Sequence, residues 1–520
     1  MLAALCFILM SALPASSLEV MPPMNQIYHP VSTNNPEAQK YFNKGLTYLF
    51  AYNHDVAFDS FKKASEQDPN LAMAYWGMAM ALGQNVNTDV TPENEIKCYN
   101  YVQQALKLAP KASQNDQDYI NALKVRYTND SSADLVPLRY LYRNAMKKVV
   151  EAYPEDLDAA TLYSESILEL NPWKWWTYDG KPTEGVYEAA DVLDSVLKRA
   201  PNHIGANHFY IHAFEESPFP ERALLSAYRL ETLLPESGHL LHMPCHIFLI
   251  VGDYKSALST NTKALAADSQ YIKEHGMGGE YPLHYFKHNL YVMVRIHELM
   301  NDFEKAYATS LELVKFIEPY VKSHQLDRFA YVPFEVLLYF HKWKEILEYQ
   351  PIIQDSPIVN SYQHFSRAMA YAVLGKLNSA EEEKKIFLEN VKKIQPTEEI
   401  AGNPASQIFK LAELVLNATI NRKNNNLPAS IEDLQKAIYI QDRLNYDEPP
   451  PWYIPVREEL GATYLLQQRW KDAADTFQEA LTKLRCNGRL LYFLALSLKA
   501  QQKVTDAYWV EREMVEAFSK

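Results

Sequence analysis

Residues Pro36–Pro69 read PEAQKYFNKGLTYLFAYNHDVAFDSFKKASEQDP, and the landmarks within them organise the rest of the chain. They are Tyr41, Gly45, Tyr48, Ala57, Phe61, Ala64 and Pro69, with steps of 12, 4, 3 and 5 residues counted from Gly45. The same steps return at Ile211, Ala223, Ala227, Leu230 and Pro235. They return again at Cys245, Ala257, Asn261, Ala264 and Ser269, shifted by 34 residues. Gly461, Ala473, Phe477 and Ala480 repeat them near the C-terminus, followed by Ala495 and Ala507. Ala79 and Cys98 fit once the loop GQNVNTDVT absorbs seven extra residues, and weaker copies are anchored at Ala306 and Ala380. A fixed period of this length marks a repeat array, in which each unit buries its apolar face only by stacking on its neighbours.

This pattern of aromatic, Gly and aromatic, then Ala, aromatic, Ala and Pro, resembles the tetratricopeptide repeat (TPR). The resemblance covers most of residues 36–520 and implies an all-α solenoid of roughly a dozen antiparallel helix pairs. It also implies that the first helices of successive pairs line a concave groove, commonly used to bind peptides. Two insertions interrupt the period: Asn171–Gly185, NPWKWWTYDGKPTEG, and Gln270–Pro282, which carries EHGMGGEYP. Long insertions in such arrays gather on one face, often the binding face.

Composition agrees with this reading. Only 15 of 520 residues are Gly, which argues against Gly-rich phosphate cradles and turn-dense β-architectures. The net charge is −13 and no Lys/Arg block exists, so nucleic acid is not an expected partner. Met1–Leu13 is an apolar run followed by Pro14, Ala15, Ser16 and Ser17. That run is too short to span a bilayer but suits a signal peptide of residues 1–17. An N-terminal extension of residues 18–35 follows, and the chain is expected to be periplasmic or secreted with no membrane span. Beyond Cys6 only Cys98, Cys245 and Cys486 remain, with neither a disulfide framework nor paired CxxC spacing.

The histidines are distributed unevenly. Ten of 15 fall within residues 203–297. His208 and His242 are 34 apart, as are His212 and His246, so each pair holds the same place in adjacent repeats. At 100° per residue, His208, His212 and Glu215 share one helix face, as do His239, His242 and His246. His288 aligns with His239 in the frame set by Ala306, and His284 lies one turn earlier. Two histidines one turn apart can share an ion with a ligand from the next helix, and imidazole suits zinc, copper or iron. The expected metal site comprises His208, His212, Glu215, His239, His242, His246, His284 and His288. Glu215 or Glu216 is the nearest candidate for a catalytic base. Pro244 leaves two options: a helix from Gly238 that kinks there, or one that begins near Met243. Cys245 and Cys98 occupy the small packing position. His203, His275 and His297 lie outside the shared register.

Further candidates flank this segment. Arg457 could hold a substrate carboxylate or phosphate, or pair with Glu458, Glu459 or Asp447. Trp452 and Tyr453 adjoin it as groove residues. Trp173, Trp175, Trp176 and Tyr178 suit either a lid over the groove or an anchor for their own loop. No GxxxxGK[ST], GxSxG, HExxH or GxGxxG motif is present. The strings GHLLHMPCHI, ANHFYIH, YFKHN and PPPWYIPVREE resemble motifs in a group of bacterial exported repeat proteins, a resemblance that implies a shared site but no particular chemistry. Two expectations therefore stand. One is a metalloprotein, with a bound ion able to activate water or dioxygen. The other is an interaction module taking a peptide, protein or small molecule in its groove.

Overall fold

The computed structural model describes residues 27–277, 281–324, 326–452 and 454–519. The expected signal peptide, most of the N-terminal extension, and Tyr453 lie outside these residues. Among the described residues, the chain from Pro36 onward forms twelve antiparallel helix pairs, beginning with Pro36–Phe50 and His54–Gln67 and ending with Gly488–Ala500 and Val504–Ser519. Among the described residues the only strands are Glu399–Ile400 and Asn403–Pro404, which pair with each other. The fold is all-α and TPR-like.

The landmark spacing has a direct steric cause. A Cβ on Gly45 would lie 2.7 Å from the Phe61 ring, and one on Gly77 would lie 2.3 Å from it. Phe61 is thus wedged between the first helices of successive pairs, which approach only because both lack side chains there. Gly461 and Phe477 repeat the contact, with a hypothetical Cβ 2.4 Å from the ring. The turn within each pair is equally regular. Tyr52, Gly252, Asn301, His341, Gly375, Asn425, Gln468 and Gln502 all have positive φ. Each lies two residues before its second helix begins. For non-Gly residues this left-handed turn costs about 1–2 kcal/mol, which packing of the joined helices offsets. Side-chain caps then start many helices, among them Asn53 on Val56, Ser237 on Leu240, Asp253 on Ser256 and Asp302 on Lys305.

The stack coils tightly enough to bring distant repeats together. A Cβ on Gly205 would meet Phe50 at 2.5 Å, so the first turn of the array rests on the fifth pair. Further along, the Tyr254 hydroxyl donates to the Arg485 carbonyl at 2.6 Å and Arg485 pairs with Glu221. Arg443 stacks over Tyr178 at 4.5 Å. No described helix is long and apolar enough to cross a membrane.

Candidate metal centre

The helix runs unbroken from Gly238 through Pro244 to Val251, so it does not begin near Met243, and His239, His242 and His246 share one helix. His208 and His212 come from the preceding pair, on Ile204–Glu215. His288 comes from the following pair, on Lys287–Leu299. The seven residue steps from His239 to His246 rise about 10 Å along the axis, enough for one helix to serve two centres. His239 turns back towards His208 and His212, while His242 and His246 face His288.

The first centre joins His208, His212 and His239. The Nε2 of His208 lies 3.1 Å from that of His212 and 3.1 Å from that of His239. In the second centre, the Nε2 of His242 lies 2.6 Å from that of His246 and 2.9 Å from that of His288. Nitrogens bound at 2.0–2.1 Å around a tetrahedral ion sit about 3.3 Å apart. The first centre is close to that spacing. The second needs its rings to part by several tenths of an ångström.

What the other ring nitrogens do fixes the chemistry. The Nδ1–H of His208 donates to the Phe50 carbonyl at 2.7 Å. His212 and His246 donate Nδ1–H to the two oxygens of Glu215, at 2.6 and 2.5 Å. His242 donates Nδ1–H to Asn261 Oδ1 at 2.8 Å, and the Asn261 amide is oriented by donating to the Asn289 carbonyl at 2.9 Å. With Nδ1 carrying the proton, each neutral ring presents an Nε2 lone pair, and these lone pairs converge. Imidazoles held on one nitrogen by a carboxylate or carbonyl and free on the other are the usual arrangement of metal-ligating histidine.

Electrostatics favour the neutral form at four of the six rings. Burial, followed by the neighbouring histidines, pulls His208, His239, His242 and His288 well below the usual imidazole range. At His246 burial acts in the same direction, but Glu215 outweighs it and holds the ring up. Burial would raise Glu215; His212 and His246 instead hold it down, to about 2. Beneath the helix, Tyr281 donates to Asp268 at 2.9 Å and accepts the His239 backbone N–H at 3.2 Å. Gly238 permits this, because a Cβ there would strike Asp268 at 1.7 Å.

Several expected site residues sit elsewhere. Glu215 faces two Nδ1 atoms with both oxygens occupied, so it orients ligands and is not free as a ligand or base. Glu216 accepts the backbone N–H groups of Trp175 and Trp176 at 3.1 and 3.3 Å, anchoring the inserted loop. His284 lies in the π-turn Pro282–Phe286, outside both convergent groups, and burial lowers it to about 3. Trp452 is core, packed against Tyr362 and Phe365. Arg457 bonds Asp442 twice at 2.7 Å and Glu479 at 2.7 Å, partners other than those anticipated. Cys245 is buried, and burial drives its thiol well up, as befits a packing residue.

The tryptophan loop divides its labour. Trp175 and Trp176 are buried, donating to the Leu168 and Ala213 carbonyls at 2.9 Å each. Trp173 lies edge-on to His212 at 5.7 Å and stacks on Tyr446 at 6.2 Å, covering the first centre. Tyr52, from the first turn of the array, closes the opposite side, 4.6 Å from His208 and 5.8 Å from His239. Sequence reading missed Tyr52 and the Phe50 carbonyl, for which a linear sequence carries no signal. It also passed over Asn261, where a signal existed: a polar residue at the place held by Phe61, Ala227 and Phe477. A third group, His29, Asp156 and Asp158, has its carboxylates occupied by His29, His203, Tyr119 and Asn115 and ties the N-terminal segment to the array.

No protein-family model matches the sequence, and no curated protein matches it. Among solved structures, the human IFIT1 dimer with m7Gppp-AAAA aligns over 94% of this chain and 92% of its own, at 10% identity and a TM-score of 0.35. Yeast Tom70 aligns over 92% of each chain at 12% identity and a TM-score of 0.29. The APC/C hetero-tetramer Cut9-Hcn1 aligns over 89% of this chain and 76% of its own at 15% identity and a TM-score of 0.29. The fold assignment stands on the repeat geometry of the chain itself.

Proposed function

We propose that this protein is an exported metalloprotein in which a TPR-like solenoid holds transition-metal ions at two three-histidine centres. The observation that carries the reading is the convergence of Nε2 atoms from six rings, with acceptors on Nδ1 setting the tautomer of His208, His212, His242 and His246. Within the pairs His208/His212 and His242/His246, whose protons sit on Nδ1, the facing Nε2 lone pairs repel unless a cation lies between them. His208, His212 and His239 would hold one ion, and His242, His246 and His288 another. Neutral imidazoles in this number suit zinc, copper or iron. Three protein ligands leave a position open, at which an ion polarises water or binds dioxygen. The apolar run Met1–Leu13 is the support for export. Of the side chains named for the alternative, a peptide-binding groove, Arg457 is held by Asp442 and Glu479 and Trp452 is core.

Elemental analysis of the purified chain, before and after reconstitution with zinc, copper(II) or iron(II), tests this. One ion per centre is the expected result, with a His208→Ala variant retaining the ion of the second centre. A reconstituted chain carrying less than about a tenth of an ion would end the proposal, given the affinity expected of a preformed site.

A further inference from the structure

Five of the six convergent rings are at most 3% exposed, whereas His288 is only half-buried. Trp173 and Tyr446 cover the first centre from one side and Tyr52 from the other. Access to the ions is therefore from the His288 side of the second centre, and the groups at that mouth decide what enters. Lys287, the residue before His288, is half-buried with its ammonium 4.1 Å from the centre of the Phe329 ring. No carboxylate among the described residues lies within ion-pair distance of it. The neighbouring cation, Arg328, is already bound to Asp447. Glu448 lies on the His246 side, where its carboxyl accepts the Tyr446 hydroxyl at 2.7 Å. His284, also at the mouth, is half-buried and has no hydrogen-bond partner among the described residues. Lys287 is thus a cation without an ion-pair partner among the described residues, seated on an aromatic face beside the one half-buried ring of the six.

Resting on the two-centre metal reading, we propose that Lys287 and the second centre together form the binding site of a small organic carboxylate. Its acid group would meet the Lys287 ammonium, and its body would lie against the half-buried His288 ring. A single point-charge donor matches a monoanionic carboxylate better than a phosphate dianion, which calls for several donors or a bidentate guanidinium.

The test uses the full chain loaded with cobalt(II), whose visible absorption reports changes at the ion, titrated with benzoate and with its neutral counterpart benzamide. Benzoate is expected to shift the absorption and to bind at least about tenfold more tightly than benzamide, the worth of one charge-assisted hydrogen bond. Lys287→Met should lower benzoate affinity by about the same factor at unchanged cobalt content, and Lys287→Arg should retain most of it. Equal affinities for benzoate and benzamide in the unaltered chain overturn the proposal without recourse to any variant. So does a Lys287→Met chain that keeps its cobalt and binds benzoate as before. A chain that takes up no cobalt overturns this proposal, and one that takes up none of cobalt, zinc, copper or iron overturns the metal reading as well, a result read before any carboxylate is added.

Discussion

The helices Gly238–Val251 and Val456–Leu466 hold equivalent places in their repeats, with Cys245 matching Gly461 and His242 matching Glu458. Both use that matched polar position to reach the next repeat. In the C-terminal pair Glu458 meets Arg489, and two unlike charges satisfy each other. In the histidine pair His242 meets His246 and His288, three groups of one kind, and the protons of His242 and His246 are committed to Asn261 and Glu215. Two rings whose protons lie on Nδ1 cannot satisfy each other through Nε2. The same architecture thus yields a closed ion pair in one place and an incomplete site in the other, and the difference lies in whether the chain supplies both halves of the interaction.

The largest expected consequence separates the two regions outright. His242→Ala/His246→Ala should abolish metal at the second centre while leaving helical content by circular dichroism close to the parent. If that chain still bound its full complement of ions, the histidine repeats would be no different in kind from the C-terminal ones. Glu215→Gln comes next. A carboxamide accepts from one ring and confronts the other with its own N–H, so one centre should weaken by about 10–100-fold, read by competition with a chelator. Unchanged affinity at both centres would show that Glu215 does not set the ring tautomers.

Packing in the C-terminal repeats should respond in stability and not in metal content. Gly461→Val drives a side chain into Phe477 and should cost about 1–3 kcal/mol, measured by denaturant unfolding, with the ions retained. A loss of metal in this variant would mean that the two regions are coupled. Glu335 offers a pH contrast. Burial raises its carboxyl to about 8, so the folded chain keeps a proton that the unfolded chain releases near pH 4. Its contribution therefore favours the fold at low pH and is lost as pH rises towards 8. Glu335→Gln should flatten that decline, seen as a smaller difference between unfolding midpoints at pH 5 and pH 8. Smallest of all, Arg457→Ala should cost no more than about 1 kcal/mol, because its carboxylate partners are partly exposed. A larger loss would make the C-terminal ion pairs more than surface contacts.

The repeat was legible because steric facts recur in sequence: Gly45 and Gly77 must admit Phe61, and Gly461 must admit Phe477. The histidines were legible for the same reason, since a period of 34 places His208 over His242 and His212 over His246. Their division was not. His239 shares a helix with His242 and yet joins His208, because that helix packs between two neighbours and offers one end of its face to each. Glu215 appeared to be a ligand by spacing, but the spacing along one helix does not reveal that His246 of the next repeat claims its second oxygen. Arg457 and Trp452 were misread for a related reason: the partners that occupy them, Asp442, Glu479, Tyr362 and Phe365, lie on other helices.

By itself the sequence determined the all-α repeat, its period, and the residues that carry imidazole, since these depend on contacts within a pair or between adjacent pairs. Only the tertiary structure decided which nitrogens converge, which carbonyl and carboxylate hold the others, and which side of the site is open. Those depend on superhelical coiling that sets Phe50 and Tyr52 against His208 and brings Tyr446 over Trp173. Small angular increments summed over many repeats fix that coiling, and no local pattern records it.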